Sequence, residues 1–379
     1  MAIRVVSIIS RMNIGGPAKL IADLINHLPE DEIEHILITG RCESDETDLL
    51  DSYKIKSQVI YLDDVSRSIF LFKDIKSFIK LFFLLRKLQP EIVHTHLSKA
   101  GVLGRLATKI VSPRITLIHT FHGHLLSGYF SQFKVTLIIQ IEKFLSSFTD
   151  ILIAVSKDVK DKYSKLGIGN RSAWEVINPG IRIPARNEPE KRIIPKAKLK
   201  KVNIIWIGRF AEIKNPKFAL EVFSLLQSKT DNSFNLTMVG DGKLLEECKE
   251  YSNARNLGVI FTGWLPNASI ELANSDILLF TSENEGFGMV VVEAALNGVL
   301  VISTNSGGVT DFIKHNQTGL IVSSEASNFV DAISRICSQS EKFEEIVKSA
   351  RNLAISEFSA DIYVAKHLDL YREIIKKSS

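Results

Sequence analysis

Short apolar runs alternate with segments of helical spacing along this chain. The run at residues 3–9 predicts a buried strand, a turn follows at 15–17, and apolar positions from 18 to 28 recur at helical spacing. Further strand-like runs are found at 34–39, 59–62, 92–94, 116–119 and 150–155. Such alternation predicts a mostly parallel sheet covered by helices.

The pattern pauses at a polar stretch, PARNEPEKRIIPKAKLK, and then restarts with the same order of elements. Strands are predicted at 202–207, 235–239, 259–262, 276–280 and 300–303, with a helix at 216–228. We therefore expect an N-terminal domain at 1–184, a linker at 185–200, a C-terminal domain at 201–358 and a final helix. That helix, at 359–379, is expected to pack back on the N-terminal domain.

Two doubly wound parallel-sheet domains of this kind are Rossmann-like, and we expect them to face a central cleft. Ligands of open α/β sheets lie at the carboxyl ends of the strands. The turns that follow the predicted strands are therefore the places to look for chemistry.

Composition supports a globular protein with two cores, since the 379 residues are 45% hydrophobic and 24% charged. The three cysteines, Cys42, Cys248 and Cys337, have no metal-binding spacing and predict a reducing, cytoplasmic compartment. The first residues lead directly into a strand, so no signal peptide is expected.

Charge is distributed unevenly. Residues 1–201 carry a net charge of +10 and residues 202–379 carry −6, and within 66–141 there are 11 basic residues but only two acidic ones. A basic half attracts phosphates, acidic lipid surfaces or nucleic acid, although a solvated basic surface is the alternative.

The stretch 68–88 is apolar but carries six charged residues, too many for a membrane span. Two interpretations stay open: a basic amphipathic helix on an anionic membrane, or a helix packed on the sheet with its lysines outward.

Glycine-rich turns follow several predicted strands. Gly15 and Gly16 precede a helix, and Gly240 follows a later strand, so backbone amides there can approach a phosphate. An ordinary tight turn explains each of them equally well. Trp264 ends another strand, where it either stacks on a nucleotide base or packs in the core.

Two cations flank the end of the first strand of the second half. In IGRFAEIKN, Arg209 can bind a diphosphate bidentately and Lys214 can contribute a point charge. Two surface cations without a ligand are the alternative.

Histidines cluster after two strands of the first half. HTFHGH holds His119, His122 and His124, and VHTHLSKAG holds His96 and, shortly after it, Lys99. A metal site is not favoured, because no carboxylate or thiolate is near. Two interpretations of these histidines stay open: one presented to a substrate hydroxyl, or one packed in the core. Lys99 can contact a phosphate of the acceptor.

The stretch ENEGFGMVVVEAALNGV places Glu285 in the loop after a strand and Glu293 on the helix that follows. Gly286 and Gly288 let backbone amides turn towards a ligand. A carboxylate on such a helix can bind both hydroxyls of a ribose, as acidic residues do in nucleotide sites.

These residues resemble the retaining glycosyltransferases of family 4, which have the GT-B fold. The family signature E-x7-E is matched from Glu285 to Glu293, with EGFG at its start. The resemblance also covers GG at 15–16, HTFHG at 119–123, GR-x4-KN at 208–215, VGDG at 239–242, F-x-G at 261–263 and GGV-x-D at 307–311. VINPGI at 176–181 departs from the family by a local turn residue.

The resemblance implies a role for each matched residue. Glu285 would contact the transferred sugar, Glu293 the ribose, and Arg209 and Lys214 the departing diphosphate. The amides of Phe287, Gly288 and Met289 would hold sugar hydroxyls and the diphosphate. His122 would lie near the anomeric carbon, and Gly15 and Gly16 would close over the diphosphate. His96, Lys99 and His124 are the acceptor-side candidates.

The implied activity is retaining transfer of a hexose from a nucleotide sugar, with UDP expected, to a saccharide or a polyprenyl-diphosphate-linked acceptor. Bacterial capsule, exopolysaccharide or O-antigen synthesis is the expected pathway, on the inner face of the cell membrane and in contact with its anionic surface. No cofactor, metal or nucleic acid is expected. A UDP-N-acetylglucosamine 2-epimerase-like isomerase and a non-catalytic nucleotide-binding scaffold at the membrane surface are the alternatives.

Overall fold

A computed structural model of the chain describes residues 2–43, 46–63, 65, 71–123, 132–183, 201–229 and 233–378. The chain divides into two compact units, the first comprising Met1–Gly180 with Ala360–Ser379 and the second Ile181–Ser359. The expected linker at 185–200 lies outside the described residues. None of the described helices has both the length and the apolar character needed to cross a bilayer.

The first unit is built on a seven-stranded parallel sheet with the order β3-β2-β1-β4-β5-β6-β7. Its strands are β1 (Ile3–Ile9), β2 (Ile33–Thr39), β3 (Gln58–Tyr61), β4 (Ile92–His96), β5 (Thr116–Phe121), β6 (Ile151–Ala154) and β7 (Ala173–Val176). Most positions of the central strands are buried, as expected for a parallel sheet covered on both faces.

Helices cover both faces of this sheet. They are α1 (Gly16–His27), α2 (Leu71–Leu88), α3 (Ser98–Val111), α4 (Gln132–Ser146), α5 (Lys157–Lys165) and, from the C-terminal segment, α12 (Ala360–Ser378). Right-handed crossovers place α2 to α5 on one face and α1 on the other, where α1 contacts α12. Arg372 on α12 forms a bidentate ion pair with Glu32 of the first unit, at 2.6 and 2.8 Å.

The second unit has a six-stranded parallel sheet with the order β10-β9-β8-β11-β12-β13. Its strands are β8 (Lys201–Ile207), β9 (Ser233–Val239), β10 (Ile260–Gly263), β11 (Ile277–Phe280), β12 (Leu300–Ser303) and β13 (Leu320–Ile321). Its helices are α6 (Pro216–Lys229), α7 (Leu245–Ala254), α8 (Ser269–Ala273), α9 (Met289–Leu296), α10 (Ala326–Ser338) and α11 (Ser340–Glu357).

Both strand orders reverse direction next to their first strand, between β1 and β4 and between β8 and β11. A crevice opens at the carboxyl ends of the strands at such a switch point. The α/β class and the two doubly wound parallel sheets are confirmed. The short strands β7 and β13 were not predicted. With four residues in β7 and two in β13, both are too short to give a periodic signal.

Candidate functional site

The loops that follow β8 and β11 meet at the switch point of the second sheet. Lys214 ends a short 3-10 helix after β8, and Glu285 lies in the loop after β11. Lys214 Nζ donates a hydrogen bond to Glu285 Oε2, and the two side chains are 24% and 17% exposed. The structure therefore brings together two predicted site residues that are 71 positions apart in the sequence.

Thr281, the residue after β11, fixes these loops to the sheet. Its hydroxyl accepts a hydrogen bond from Trp206 Nε1 at 2.9 Å and lies 3.0 Å from the carbonyl oxygens of Lys214 and Asn215. Sequence reasoning missed both Thr281 and Trp206. The strand pattern marks Trp206 as buried but gives no sign of the partner of its indole N–H.

The turn from Glu285 to Met289 contains backbone donors at the start of α9. The Glu285 carbonyl accepts a hydrogen bond from Gly308 N at 3.1 Å, which holds the turn against the loop after β12. Gly288 has φ +85°, a left-handed conformation that favours glycine. Within the described part of the chain, the amides of Phe287, Gly288 and Met289 have no acceptor. These amides can therefore bind an anion or a hydroxyl oxygen.

The side chains of this segment differ in their surroundings. Phe287 is 3% exposed, with its ring centroid 5.5 Å from that of Phe358, so only its backbone can meet a ligand. Glu293 is half-buried on α9, one turn after Met289 and therefore on the same side of the helix. Arg209 is exposed at the carboxyl end of β8, five positions before Lys214. The ligand contacts expected of Arg209, Glu293 and Gly286 stay predictions.

A corner of close backbone contacts joins the ends of β8, β9 and β10. Gly240 N donates to Gly263 O at 2.9 Å, and a Cβ built on Gly240 would lie 1.9 Å from Gly208 O. Trp264 follows directly and is 49% exposed, so its ring is not part of the core. An exposed aromatic ring beside this corner can stack on a planar ligand.

We expect Gly240→Ala to destabilise the second unit strongly. An alanine at φ +134° would be strained, and its Cβ would collide with the Gly208 carbonyl unless two strand ends moved apart. We therefore expect the free energy of unfolding to fall by about 3 kcal/mol or more. Gly258→Ala is the matched control: φ there is +65°, but no atom lies within 4 Å of the added Cβ, and a loss of about 1 kcal/mol is expected. Urea unfolding measures both, and equal losses would contradict the steric argument.

In the first unit, Gly15 immediately precedes α1, and Gly16 is the first residue of that helix. Gly15 is exposed and extended, with φ 172° and ψ 169°, and the nearest atom to a built Cβ is Asn13 O at 3.8 Å. Neither conformation nor packing within this unit requires a glycine there. The predicted approach of Gly15 and Gly16 to a diphosphate stays a prediction.

The histidines at the ends of β4 and β5 form a connected cluster. His94 bonds to Thr120 Oγ1 at 2.6 Å through Nε2 and to Tyr371 Oη at 2.9 Å through Nδ1. His96 Nδ1 lies 3.1 Å from His122 Nε2, and the rings of His94 and His96 are 4.1 Å apart. Two predicted site residues, His96 and His122, are thus in contact, and Tyr371 of α12 closes the cluster. No local pattern reveals a partner 277 positions away.

Burial keeps these rings neutral. It lowers the pKa of His122 to about 3 and holds the pKa of His96 well below its usual range, with the neighbouring histidines adding to the effect. His96 Nε2 and His122 Nδ1 are buried and have no partner among the described groups. A neutral imidazole can donate one hydrogen bond through its N–H group and accept one at its other ring nitrogen. Within the described residues, no group of three or more ligands could hold a metal ion.

Lys99, at the start of α3, forms an ion pair with Asp74 of α2 at 2.6 Å, and both side chains are at most 14% exposed. This contact joins two helices of the same layer. The expected acceptor contact of Lys99 stays a prediction, and His124 lies outside the described residues.

Two family models match the chain and together span most of it. Residues 14–183 match the model described as Glycosyltransferase Family 4, and residues 187–353 match Glycosyl transferases group 1. The chain is 27% identical over 340 residues to UDP-Gal:alpha-D-GlcNAc-diphosphoundecaprenol alpha-1,3-galactosyltransferase of Escherichia coli, covering 87% of this chain and 86% of that protein. It is 25% identical to the capsular polysaccharide biosynthesis glycosyltransferase CapM of Staphylococcus aureus, covering 85% and 87%.

Solved structures share the fold. HepE of Anabaena in complex with UDP superposes with a TM-score of 0.76 at 18% identity, covering 98% of this chain and 100% of that one. Sucrose-phosphate synthase of Thermosynechococcus elongatus superposes with a TM-score of 0.80 at 18% identity, covering 99% and 100%.

Proposed function

Since the chain belongs to the glycosyltransferases of family 4, with the GT-B fold, we propose that it transfers a hexose from a UDP-sugar, with retention of the anomeric configuration. The acceptor is a saccharide carried on a polyprenyl diphosphate, and the product enters a bacterial capsule, exopolysaccharide or O-antigen. Transfer takes place at the inner face of the cell membrane.

One observation carries this proposal: the ion pair between Lys214 and Glu285, beside the unbonded amides at the start of α9. A cation and a helix N-terminus at the same edge of the sheet can together bind a diphosphate. The carboxylate of Glu285, held by the same cation, accepts hydrogen bonds from sugar hydroxyls. A relative adds support, because the E. coli enzyme is named for a UDP-sugar donor and a diphosphoundecaprenol-linked acceptor.

In the proposed step, the bond between the anomeric carbon and the β-phosphate oxygen breaks, and its electron pair leaves with UDP. The acceptor hydroxyl oxygen bonds to the anomeric carbon on the same face, and its proton passes to the departing β-phosphate oxygen of UDP. Lys214, Arg209 and the amides of Phe287 to Met289 stabilise the growing charge on the diphosphate. His122, neutral at working pH, orients the donor sugar through a hydrogen bond.

Transfer is tested with a panel of UDP-sugars and extracted polyprenyl-diphosphate-linked saccharides, with products identified by mass spectrometry and the new linkage by NMR. We expect an α-linked product from an α-linked donor. Donor alone is the decisive control, because an isomerase converts it without an acceptor. Conversion of the donor to an epimer, or an inverted linkage, would overturn the proposal.

Glu293→Ala should weaken UDP binding about 10- to 100-fold, because a carboxylate that accepts two ribose hydroxyls contributes about 1.5–3 kcal/mol. Glu283→Ala is the matched control, since this carboxylate is exposed in the same loop and its one described contact, to Asn215 Nδ2, is 3.4 Å long. Calorimetric titration with UDP measures both. Equal affinities for the two variants would remove Glu293 from the ribose site.

A further inference from the structure

Helix α2 presents a stripe of apolar side chains to solvent. Phe72, Ile75, Ile79 and Phe83 are 87%, 49%, 48% and 62% exposed, and their spacing of three, four and four residues puts them on one side of the helix. The opposite side packs into the core of the first unit. The helix packs on the sheet with its lysines outward, as one interpretation of 68–88 expects, and it also presents apolar side chains to solvent, as the membrane interpretation expects. Residues 68–70 lie outside the described part.

Helix α4 presents a second stripe of the same kind. Phe133, Leu137, Ile141 and Phe144 are 80%, 52%, 37% and 61% exposed and recur every three or four residues. Nothing in the sequence pattern singled out this helix. Eight large apolar side chains on two helices are more than the scattered exposed residues that folded proteins carry.

The two stripes belong to one layer. Right-handed crossovers put α2, α3 and α4 on the same face of the sheet, and α3 contacts both of its neighbours. On α3, Ile110 is 62% exposed. The layer therefore has an outer surface, formed by α2 and α4 with α3 between them, that carries both apolar stripes.

Cations accompany the apolar stripes and carboxylates do not. Lys73, Lys76 and Lys80 are exposed on α2, as is Lys134 on α4. The only described carboxylates of these two helices are turned inward, where Asp74 pairs with Lys99 at 2.6 Å and Glu142 pairs with Arg105 at 2.7 Å. Apolar side chains flanked by lysines match the boundary between the acyl chains and the anionic headgroups of a bilayer. A soluble protein partner would have to cover the lysines as well as the apolar side chains.

We propose that the outer faces of α2 and α4, here called the lipid-facing surface, hold the first unit on an anionic membrane. The phenylalanines enter the headgroup region and the lysines meet lipid phosphates. The proposal rests on the proposed function in one respect, that the acceptor is lipid-linked, and it names the part of the chain that reaches this acceptor.

The test is co-sedimentation of the full chain with vesicles of phosphatidylcholine, with and without phosphatidylglycerol. We expect binding only to the anionic vesicles, weakening as salt is raised. Phe72→Ser with Phe83→Ser, and separately Phe133→Ser with Phe144→Ser, should each lower the partition coefficient at least tenfold. Lys73→Gln with Lys76→Gln should lower it about fivefold for each charge removed.

The matched control is Ile260→Ser with Ile270→Ser, two apolar side chains of the second unit that are 57% and 71% exposed. Binding of this variant should equal that of the unmodified chain. Melting temperatures should agree for all variants, because every changed side chain is exposed.

Three outcomes would overturn the proposal: no binding to anionic vesicles, equal binding by the phenylalanine variants, or a dimer in solution that these substitutions dissociate. UDP titration of the same samples separates this proposal from the proposed function. If UDP binds but vesicles do not, only the lipid-facing surface is wrong; if vesicles bind but UDP does not, the glycosyltransferase assignment of the site fails.

Discussion

Lys214→Ala should lower kcat about 100- to 1000-fold while the protein remains folded. The ammonium group of Lys214 is fixed at the switch point by Glu285, and in the proposed step it faces charge that grows as UDP departs. A preorganised donor of this kind contributes about 3–4 kcal/mol to the stabilisation of a transition state. Initial rates of transfer at saturating donor measure the effect.

The control for Lys214 is close by. Lys217→Ala removes a cation three residues later, but Lys217 pairs with Glu247 at 2.5 Å, and both side chains are more than a third exposed. A solvent-exposed ion pair contributes little, so kcat should stay within about twofold. Equal loss in both variants would show that general positive charge, and not the position of Lys214, matters.

Removing Lys214 also leaves Glu285 without its cation, so kcat of the Glu285→Gln variant should be measured for comparison. If Glu285 contacts the sugar, this variant loses rate although Lys214 is intact. If Glu285 only holds Lys214, the double variant should be no slower than Lys214→Ala alone, because residues that act as one unit have non-additive effects.

How far the sequence predicts this site depends on the kind of contact. The loop that carries Glu285 was predictable, since an apolar strand, a glycine turn and a helix follow one another within a short segment. The pairing of Glu285 with Lys214 is not a local property. It depends on β8 and β11 being neighbours in the sheet, although β9 and β10 intervene in the sequence.

For the histidines, the sequence indicated the residues but neither their burial nor their contacts. His96 was visible as a residue near a strand end, but β4 continues through it, so its side chain is buried and not presented on a loop. Its contact with His122 follows from the parallel pairing of β4 with β5, and the contact of His94 with Tyr371 needs the C-terminal helix. The sequence pattern predicted α2 and left open whether its apolar side would remain uncovered, and it did not indicate the exposed apolar side of α4.

Acid should unfold the first unit before the second. His35, His94, His96, His119 and His367 are all buried in the first unit, and burial lowers the pKa of His35 to about 3 and that of His367 to about 4. The pKa values of the other three are held well below the usual range by the same cause. In the unfolded chain each ring titrates near pH 6.5.

The direction of the pH effect on stability follows from the number of protons that the folded and unfolded chains bind. Between about pH 6.5 and the depressed folded values, the unfolded chain binds more protons, so the free energy of unfolding falls as pH falls. In that window, each neutral buried ring lowers the free energy of unfolding by about 1.4 kcal/mol for every unit that the pH falls. His122, whose pKa burial also lowers to about 3, is a sixth such ring. At pH 5.5 the six rings together lower the free energy of unfolding by several kcal/mol, a large share of the ~5–15 kcal/mol that stabilises a domain.

Chemical unfolding at pH 7.5 and pH 5.5, with hydrogen exchange to locate the change, measures this effect. We expect β4 and β5 to lose protection at pH 5.5 while β8 and β11 keep it, because the described residues of the second unit include no buried histidine. His35→Gln removes one titrating ring and should reduce the pH slope by about 1.4 kcal/mol per unit. If the slope is unchanged, or if the second unit loses protection first, the buried rings do not govern acid stability. A slope that matches their number would show that the buried rings of the first unit stay neutral in the folded protein, which is the state that the proposed role of His122 requires.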